Sequence, residues 1–286
     1  MLVDQDVCKT CMNRQMGNDY LKSIITTNKP FAVVRFGGTE IRMIADVLYG
    51  RSTNRAYISK WARARVANTG FFPTEYSEIE KFTDLYLDKI QYADAIAVWN
   101  IFMQDYILRQ YAPKIKMFDI ISLESYYFTN PWTEELAGKK VLVIHPFAST
   151  IEKQYRKRTK LFQNENVLPE FKLEIIKAVQ TIAGTNCEFK SWFDALEWMY
   201  DQAMDKDFDI ALIGCGAYGF PLAVKLKQSG KMAIQISGPL QLYFGIKGKR
   251  WDKNLIYSKM YNQFWVRPSL TETPQNAVKV ENSCYW

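Results

Sequence analysis

Three short stretches combine residues that can bind an oxyanion or move a proton. Arg35-Phe36-Gly37-Gly38-Thr39-Glu40 ends an apolar run in an arginine, turns through two glycines and enters a helical pattern with an acid in its first turn. Glycines let backbone approach a ligand closely, and a guanidinium can clamp a phosphate through two parallel hydrogen bonds. Glu40 has two readings. It is either an acid complementing the helix dipole or a group that orients a sugar hydroxyl, holds a cation or takes a proton.

The second stretch, Gly214-Cys215-Gly216-Ala217-Tyr218-Gly219, is a GxGxxG between a strand pattern and a helix with Pro221 in its first turn. In such a unit the first glycine permits the tight turn, the second admits a pyrophosphate, and the third lets helix and sheet pack closely. The alternative is that these glycines serve packing alone. A nicotinamide enzyme of this pattern places Asp or Glu at the end of the next strand, where this chain has Gln235-Ile236-Ser237, which argues against an oxidoreductase. The third stretch is His145-Pro146-Phe147, followed by a helix in which Lys153, Arg156, Lys157 and Lys160 recur three or four residues apart. With Arg158 in the same charge run, Arg156 and Arg158 are candidate diphosphate contacts, against the reading of a solvated charged face. His145 is the only histidine, either a base near neutral pH or a neutral hydrogen-bonding residue.

Rigid strand ends must hold these groups. Short β-branched runs at Phe31 to Phe36, Ala95 to Trp99, Lys116 to Ile121, Lys140 to Ile144, Phe208 to Ile213 and Met232 to Ile236 alternate with helical stretches. Ser149 with Glu152 reads as a capping box, and Ser191 opens a segment whose Phe193, Leu196, Tyr200 and Ala203 share a face. The alternation predicts an α/β fold, a Rossmann-like, doubly wound and mainly parallel sheet that binds ligands outside the carboxyl ends of its strands. Residues 1–286 read as one domain, with a weak sub-boundary near Ala137 to Lys139 and an irregular tail over 267–286 whose Cys284, Tyr285 and Trp286 are either frayed or docked.

Composition narrows the function classes. With 286 residues, 48% apolar and 23% charged, the chain is neither disordered nor a small disulfide scaffold. The net charge of +7 suits an anionic partner, and 17 Tyr, 17 Phe and 8 Trp supply flat rings for packing or for stacking on sugars and bases. No apolar run approaches the roughly 18 to 20 residues that span a bilayer, and Asp4, Asp6 and Lys9 stand where a secretion signal needs an apolar core, so a cytoplasmic location is expected. Five cysteines suit reduced thiols. Cys8 and Cys11 form a CxxC with no second pair at zinc spacing, so no metal ligands are assigned. The basic residues are too dispersed for nucleic acid. Lys247, Lys249, Arg250, Trp251 and Lys253 combine cations with an aromatic anchor, suited to peripheral contact at the inner membrane face or simply to an exposed loop.

The turn at Arg35 to Glu40 and the late βαβ unit with Gly214, Gly216 and Gly219 together resemble the GT-D fold glycosyltransferases of bacterial glycan and capsule assembly, over most of residues 20 to 250. The resemblance implies transfer of a sugar, hexosyltransferase-type, from a nucleotide-diphosphate sugar donor. The acceptor would be an oligosaccharide, glycoprotein or lipid-linked glycan, in cell-surface polysaccharide or glycoprotein glycan biosynthesis. That family's first motif carries an Asp and a Glu that associate with a divalent metal, Mn or Mg, and with the donor diphosphate. Glu40 matches the Glu, whereas Gly38 stands in the Asp position, which leaves the metal requirement open. Diphosphate binding is then expected of Arg35, Gly37, Gly38, Thr39, Arg156, Arg158, Gly214, Gly216, Tyr218 and Gly219, with Glu40 or His145 as the catalytic base. The alternative is a nucleotide-sugar or glycan-binding protein without turnover.

Overall fold

The structure, a computed structural model, describes residues 11–286 apart from 186 and 281. Cys8, and with it the CxxC, lies outside the described residues, as does the acidic start of the chain. Seven strands, β1 (Phe31–Arg35), β2 (Ala95–Val98), β3 (Lys116–Asp119), β4 (Lys140–His145), β5 (Lys172–Lys177), β6 (Ile210–Ile213) and β7 (Met232–Gln235), form one sheet in the order β3-β2-β1-β7-β6-β4-β5. Every neighbouring pair is parallel. The chain runs outward from β1 to β3, crosses to β4, and returns through β6 to β7 beside β1.

Helices cover both faces, which is why the strands read as continuous apolar runs. They are α1 (Arg14–Thr26), α2 (Gly38–Ser52), α3 (Tyr76–Ile90), α4 (Gln104–Tyr111), α5 (Ala148–Tyr155), α6 (Trp192–Met204) and α7 (Gly219–Gln228), with several shorter turns. The two-residue period of the strands divides their side chains between two cores. Val34, Ile96, Ile144, Ile213 and Ala233 pack with α2, α3, α6 and α7, while Val33, Ala97, Val143, Leu212 and Ile234 pack with α1, α5 and the C-terminal segment.

All six expected strands are present, within two residues at each end. The seventh, β5, is an edge strand whose Glu174 and Lys177 interrupt the apolar pattern, so its sequence reads like loop. Ser191 caps α6 through a reciprocal box with Asp194. At Ser149 the expected capping box does not form, because α5 begins two residues earlier than that box requires, with Phe147 at its cap position. Its free amides are met instead by Glu272, whose carboxylate accepts from Ser149 N (2.8 Å) and Thr150 N (3.2 Å) and from the Thr150 and Ser269 hydroxyls. Glu272 is 4% exposed, and its negative charge complements the amino end of the helix.

The segment 267–286 packs on the body. Cys284 and Trp286 are buried, Trp286 Nε1 donates to the Glu272 carbonyl at 3.1 Å, and Arg250 N donates to the Cys284 carbonyl at 2.9 Å. No helix among the described residues is long and apolar enough to cross a membrane. The surface read as a membrane contact lacks its aromatic anchor, since Trp251 is 4% exposed within the core beneath that loop.

Candidate functional site

The carboxyl ends of β1, β4, β6 and β7 border a cavity of about 510 Å³. Its mouth opens because the β1–β7 ladder gives out after Val33 and Ile234. Beyond it the Gln235 side chain accepts the Arg35 amide at 2.9 Å, in place of a strand partner. Gln235, whose identity argues against a nicotinamide site, thus holds the two central strands apart at the rim.

The three chemically distinctive stretches meet here. Arg35, Gly37, Gly38, Thr39 and Glu40 form one wall, His145 a second, and Gly214, Gly216 and Tyr218 a third. Gly216 has φ +61°, a conformation costly for a side chain bearing Cβ, and a Cβ at Gly214 would meet the His145 ring at 2.6 Å. Gly219 lies behind the wall, packed on Gln235 as the third glycine of such a unit packs helix on sheet. Arg156 and Arg158 are not among the lining residues. Arg156 pairs with Glu152 at 2.9 Å and Arg158 with Glu170 at 2.6 Å. The expected helix stops at Tyr155, and Arg158 lies in a 3-10 turn beyond it, so these cations do not extend a helical face toward the cavity.

Several cavity residues have no local signal in the sequence. Arg65 and Arg250 add two guanidiniums, and Tyr285 and Trp286 of the tail close one side. Arg250 stacks over the Tyr285 ring at 4.7 Å and donates to its hydroxyl at 3.2 Å. These residues come from segments distant along the chain, and only folding brings them together.

Arg35 is the cation at the centre. It makes no ion pair within 4 Å among the described residues. Its guanidinium lies 5.2 Å from the Trp99 ring centroid and makes only long contacts, 3.4 Å, to the Phe36 carbonyl. Burial pulls its pKa below the ordinary arginine value, Glu40 opposes that pull, and the like charge of Arg250 adds to it. The Glu40 carboxylate lies against Gly37, in the first turn of α2. Burial raises its pKa above the usual carboxylate range, while its own backbone N–H and Arg35 pull it back.

His145 is 3% exposed, and burial lowers its pKa to about 3. Its Nδ1 accepts the Phe147 amide at 3.0 Å, which places the proton of the neutral ring on Nε2. In this tautomer His145 is a hydrogen-bond donor at Nε2, leaving Glu40 as the group able to take a proton. A stability consequence follows. The unfolded histidine binds a proton below about pH 6.5, whereas the folded one stays neutral down to about 3, so between those values the unfolded state holds more protons and stability falls with pH. At roughly 1.4 kcal/mol per unit of pKa difference this amounts to a few kcal/mol. The melting temperature should therefore drop between pH 6.5 and 4, and part of the drop should be absent in His145→Asn, whose amide oxygen can still accept from Phe147.

The donor set does not suit a divalent cation. Glu40 is the one carboxylate among the described lining residues, Gly38 contributes no oxygen ligand from a side chain, and three guanidiniums share the space. No cluster of three or more His, Cys, Asp or Glu side chains able to hold a metal occurs among the described residues. Hard cations require several oxygen ligands, and neighbouring positive charge opposes them. The Cys215 thiol, buried in the wall, has its pKa raised by burial, away from nucleophilic use.

Fold and site together define a Rossmann-like α/β protein with an arginine-lined cavity at the carboxyl edge of its sheet. No family model matches the chain, and no curated protein matches it. Two solved structures are similar in fold. A selenomethionine-substituted structure of domain of unknown function 1792 is 13% identical, with a TM-score of 0.46, over 82% of this chain and 80% of that one. Another, described as showing that this highly conserved domain has a distinct glycosyltransferase fold, is 12% identical, with a TM-score of 0.47, over 90% of this chain and 94% of that one.

Proposed function

We propose that the cavity holds the diphosphate of a nucleotide sugar and that the protein is a glycosyltransferase, passing a hexosyl group to an acceptor glycan. The observation that carries this reading is Arg35, a guanidinium with no ion pair within 4 Å among the described residues. It is set beside the turns of Gly37-Gly38 and Gly214 to Gly216 and within electrostatic reach of Glu40 and Arg250. A partly buried cation whose counter-charge, Glu40, does not reach ion-pair distance is left short of partners, and an anion would complete it. The similarity of the Arg35 to Glu40 turn to that of GT-D enzymes favours a sugar diphosphate as that anion.

The chemistry is direct displacement. An acceptor hydroxyl forms a bond to the anomeric carbon as the bond from that carbon to the diphosphate oxygen breaks, its electron pair leaving with the diphosphate. Glu40 takes the hydroxyl proton. Arg35, Arg250 and the turn amides stabilise the charge developing on the leaving group, and His145 Nε2–H is a further donor for an oxygen. No step is assigned to a metal, because the donor set does not suit one. The acceptor is an oligosaccharide, glycoprotein or lipid-linked glycan of cell-surface polysaccharide assembly, met inside the cell.

A second reading, binding without turnover, is favoured by one feature: the Glu40 carboxylate is already engaged by its own amide. A thermal-shift screen of nucleoside diphosphates and nucleotide sugars, with EDTA or with manganese, tests the first reading, because a ligand of the folded state raises its apparent stability. A selective rise in melting temperature that persists in EDTA is expected, together with slow release of sugar from the same donor. Binding with no release, even when acceptor fragments are added, would establish the second reading. No shift by any diphosphate would end both.

A further inference from the structure

Beside the main cavity lies a depression of about 310 Å³ that shares Gly38 and Trp61 with it and adds Ile41, Arg42, Ile101 and Phe102. Large aromatic rings are left uncovered at this place: Trp61 is 42% exposed, Trp99 39% and Phe102 60%. Each has a guanidinium over it, Arg65 at 4.5 Å from Trp61, Arg35 at 5.2 Å from Trp99 and Arg42 at 4.8 Å from Phe102. Such stacking holds a ring in place. The Arg42 Nε is buried without a hydrogen-bond partner, its nearest anion being Asp46 at 3.6 Å.

Gly38 joins the two spaces. A Cβ there would sit 3.7 Å from Trp99 Cη2, an ordinary contact distance.

We infer that this slot seats a pyranose ring of the acceptor, an assignment that rests on the transferase reading of the adjoining cavity. A pyranose has an apolar face of C–H groups that stacks on aromatic rings and a rim of hydroxyls that accept from guanidinium N–H groups, and the slot offers both. Its position suits the reaction. An acceptor ring on Gly38 and Trp61 abuts the turn that carries Glu40 and borders the cavity that holds Arg35. The slot's size is at the lower end of small-molecule sites, too confined for an extended polymer and suited to one or two rings.

The test uses the full chain and methyl glycosides of glucose, galactose, N-acetylglucosamine and rhamnose, read by saturation-transfer NMR and tryptophan fluorescence, with uridine diphosphate affinity measured separately. At least one glycoside is expected to bind, and Phe102→Ala and Trp61→Ala should each weaken it about tenfold, the loss of a good aromatic contact. Both rings are exposed, so an unchanged melting temperature verifies that the variants fold. Glycoside binding that survives both substitutions overturns the assignment, as does a slot that takes hexanol but no glycoside. Failure of every nucleoside diphosphate to bind would instead strike the transferase reading, and Phe102 lies outside the main cavity, so the two failures are distinguishable.

Discussion

Arg35→Met is expected to lower nucleoside diphosphate affinity by at least about thirtyfold while leaving the fold intact. Methionine preserves the apolar stem that lies near Trp99 and removes the charge, whose hydrogen bonds are two long ones to the Phe36 carbonyl. Truncating one partner of a desolvated, hydrogen-bonded charge pair costs roughly 2 to 5 kcal/mol, which is about thirtyfold to several thousandfold. Because the cost of burying the charge outweighs the attraction of Glu40, the unliganded variant should be no less stable than the wild type. Titration calorimetry with the best diphosphate from the screen reads the effect. Arg35→Lys should recover only part of the affinity, because an ammonium lacks the planar fork that grips two oxygens at once. Undiminished affinity in Arg35→Met would remove the observation on which the functional reading stands.

Glu40→Gln should separate binding from transfer. Loss of a general base lowers the rate by roughly a hundredfold to ten-thousandfold, with donor affinity changed only a few-fold. The amide oxygen can still accept the backbone N–H that the carboxylate engages, so the first turn of α2 should persist. If Glu40 serves only the helix dipole, the change costs less than about 1 kcal/mol of stability and the rate is untouched. Its pH profile carries a second signature. The base must be ionised, and burial raises its pKa, so transfer should be lost as pH falls through a midpoint above the ordinary carboxylate range. A bound diphosphate, adding negative charge nearby, moves that midpoint further up.

The layered α/β arrangement was legible because buried parallel strands rich in Val, Ile and Ala carry an unmistakable local pattern. Strand β5 escaped because an edge strand tolerates Glu174 and Lys177, which break that pattern. Three strand ends were recognisable from glycine, arginine and histidine at the points where runs stop. The cavity's second and third guanidiniums were not, since nothing near Arg250 or Arg65 in sequence records their approach to Arg35. Arg156 and Arg158 show the converse. The helix expected to array them stops at Tyr155, and while Glu152 claims Arg156 at the local i, i+4 spacing, Glu170, which claims Arg158, is found only in three dimensions. Ser149 likewise satisfied a local rule that a carboxylate 123 positions later outcompetes.

That distant carboxylate ties two regions together. Glu272 fastens the tail to the first turn after β4, while Tyr285 and Trp286 of the same tail face the cavity, with Trp286 Nε1 bonded to the Glu272 carbonyl. The segment 267–286 is therefore at once a clasp for the helix following His145 and a wall of the chamber. Because Trp286 is joined to Glu272 by that hydrogen bond, a ligand that displaces Trp286 from within is expected to loosen the grip on that helix.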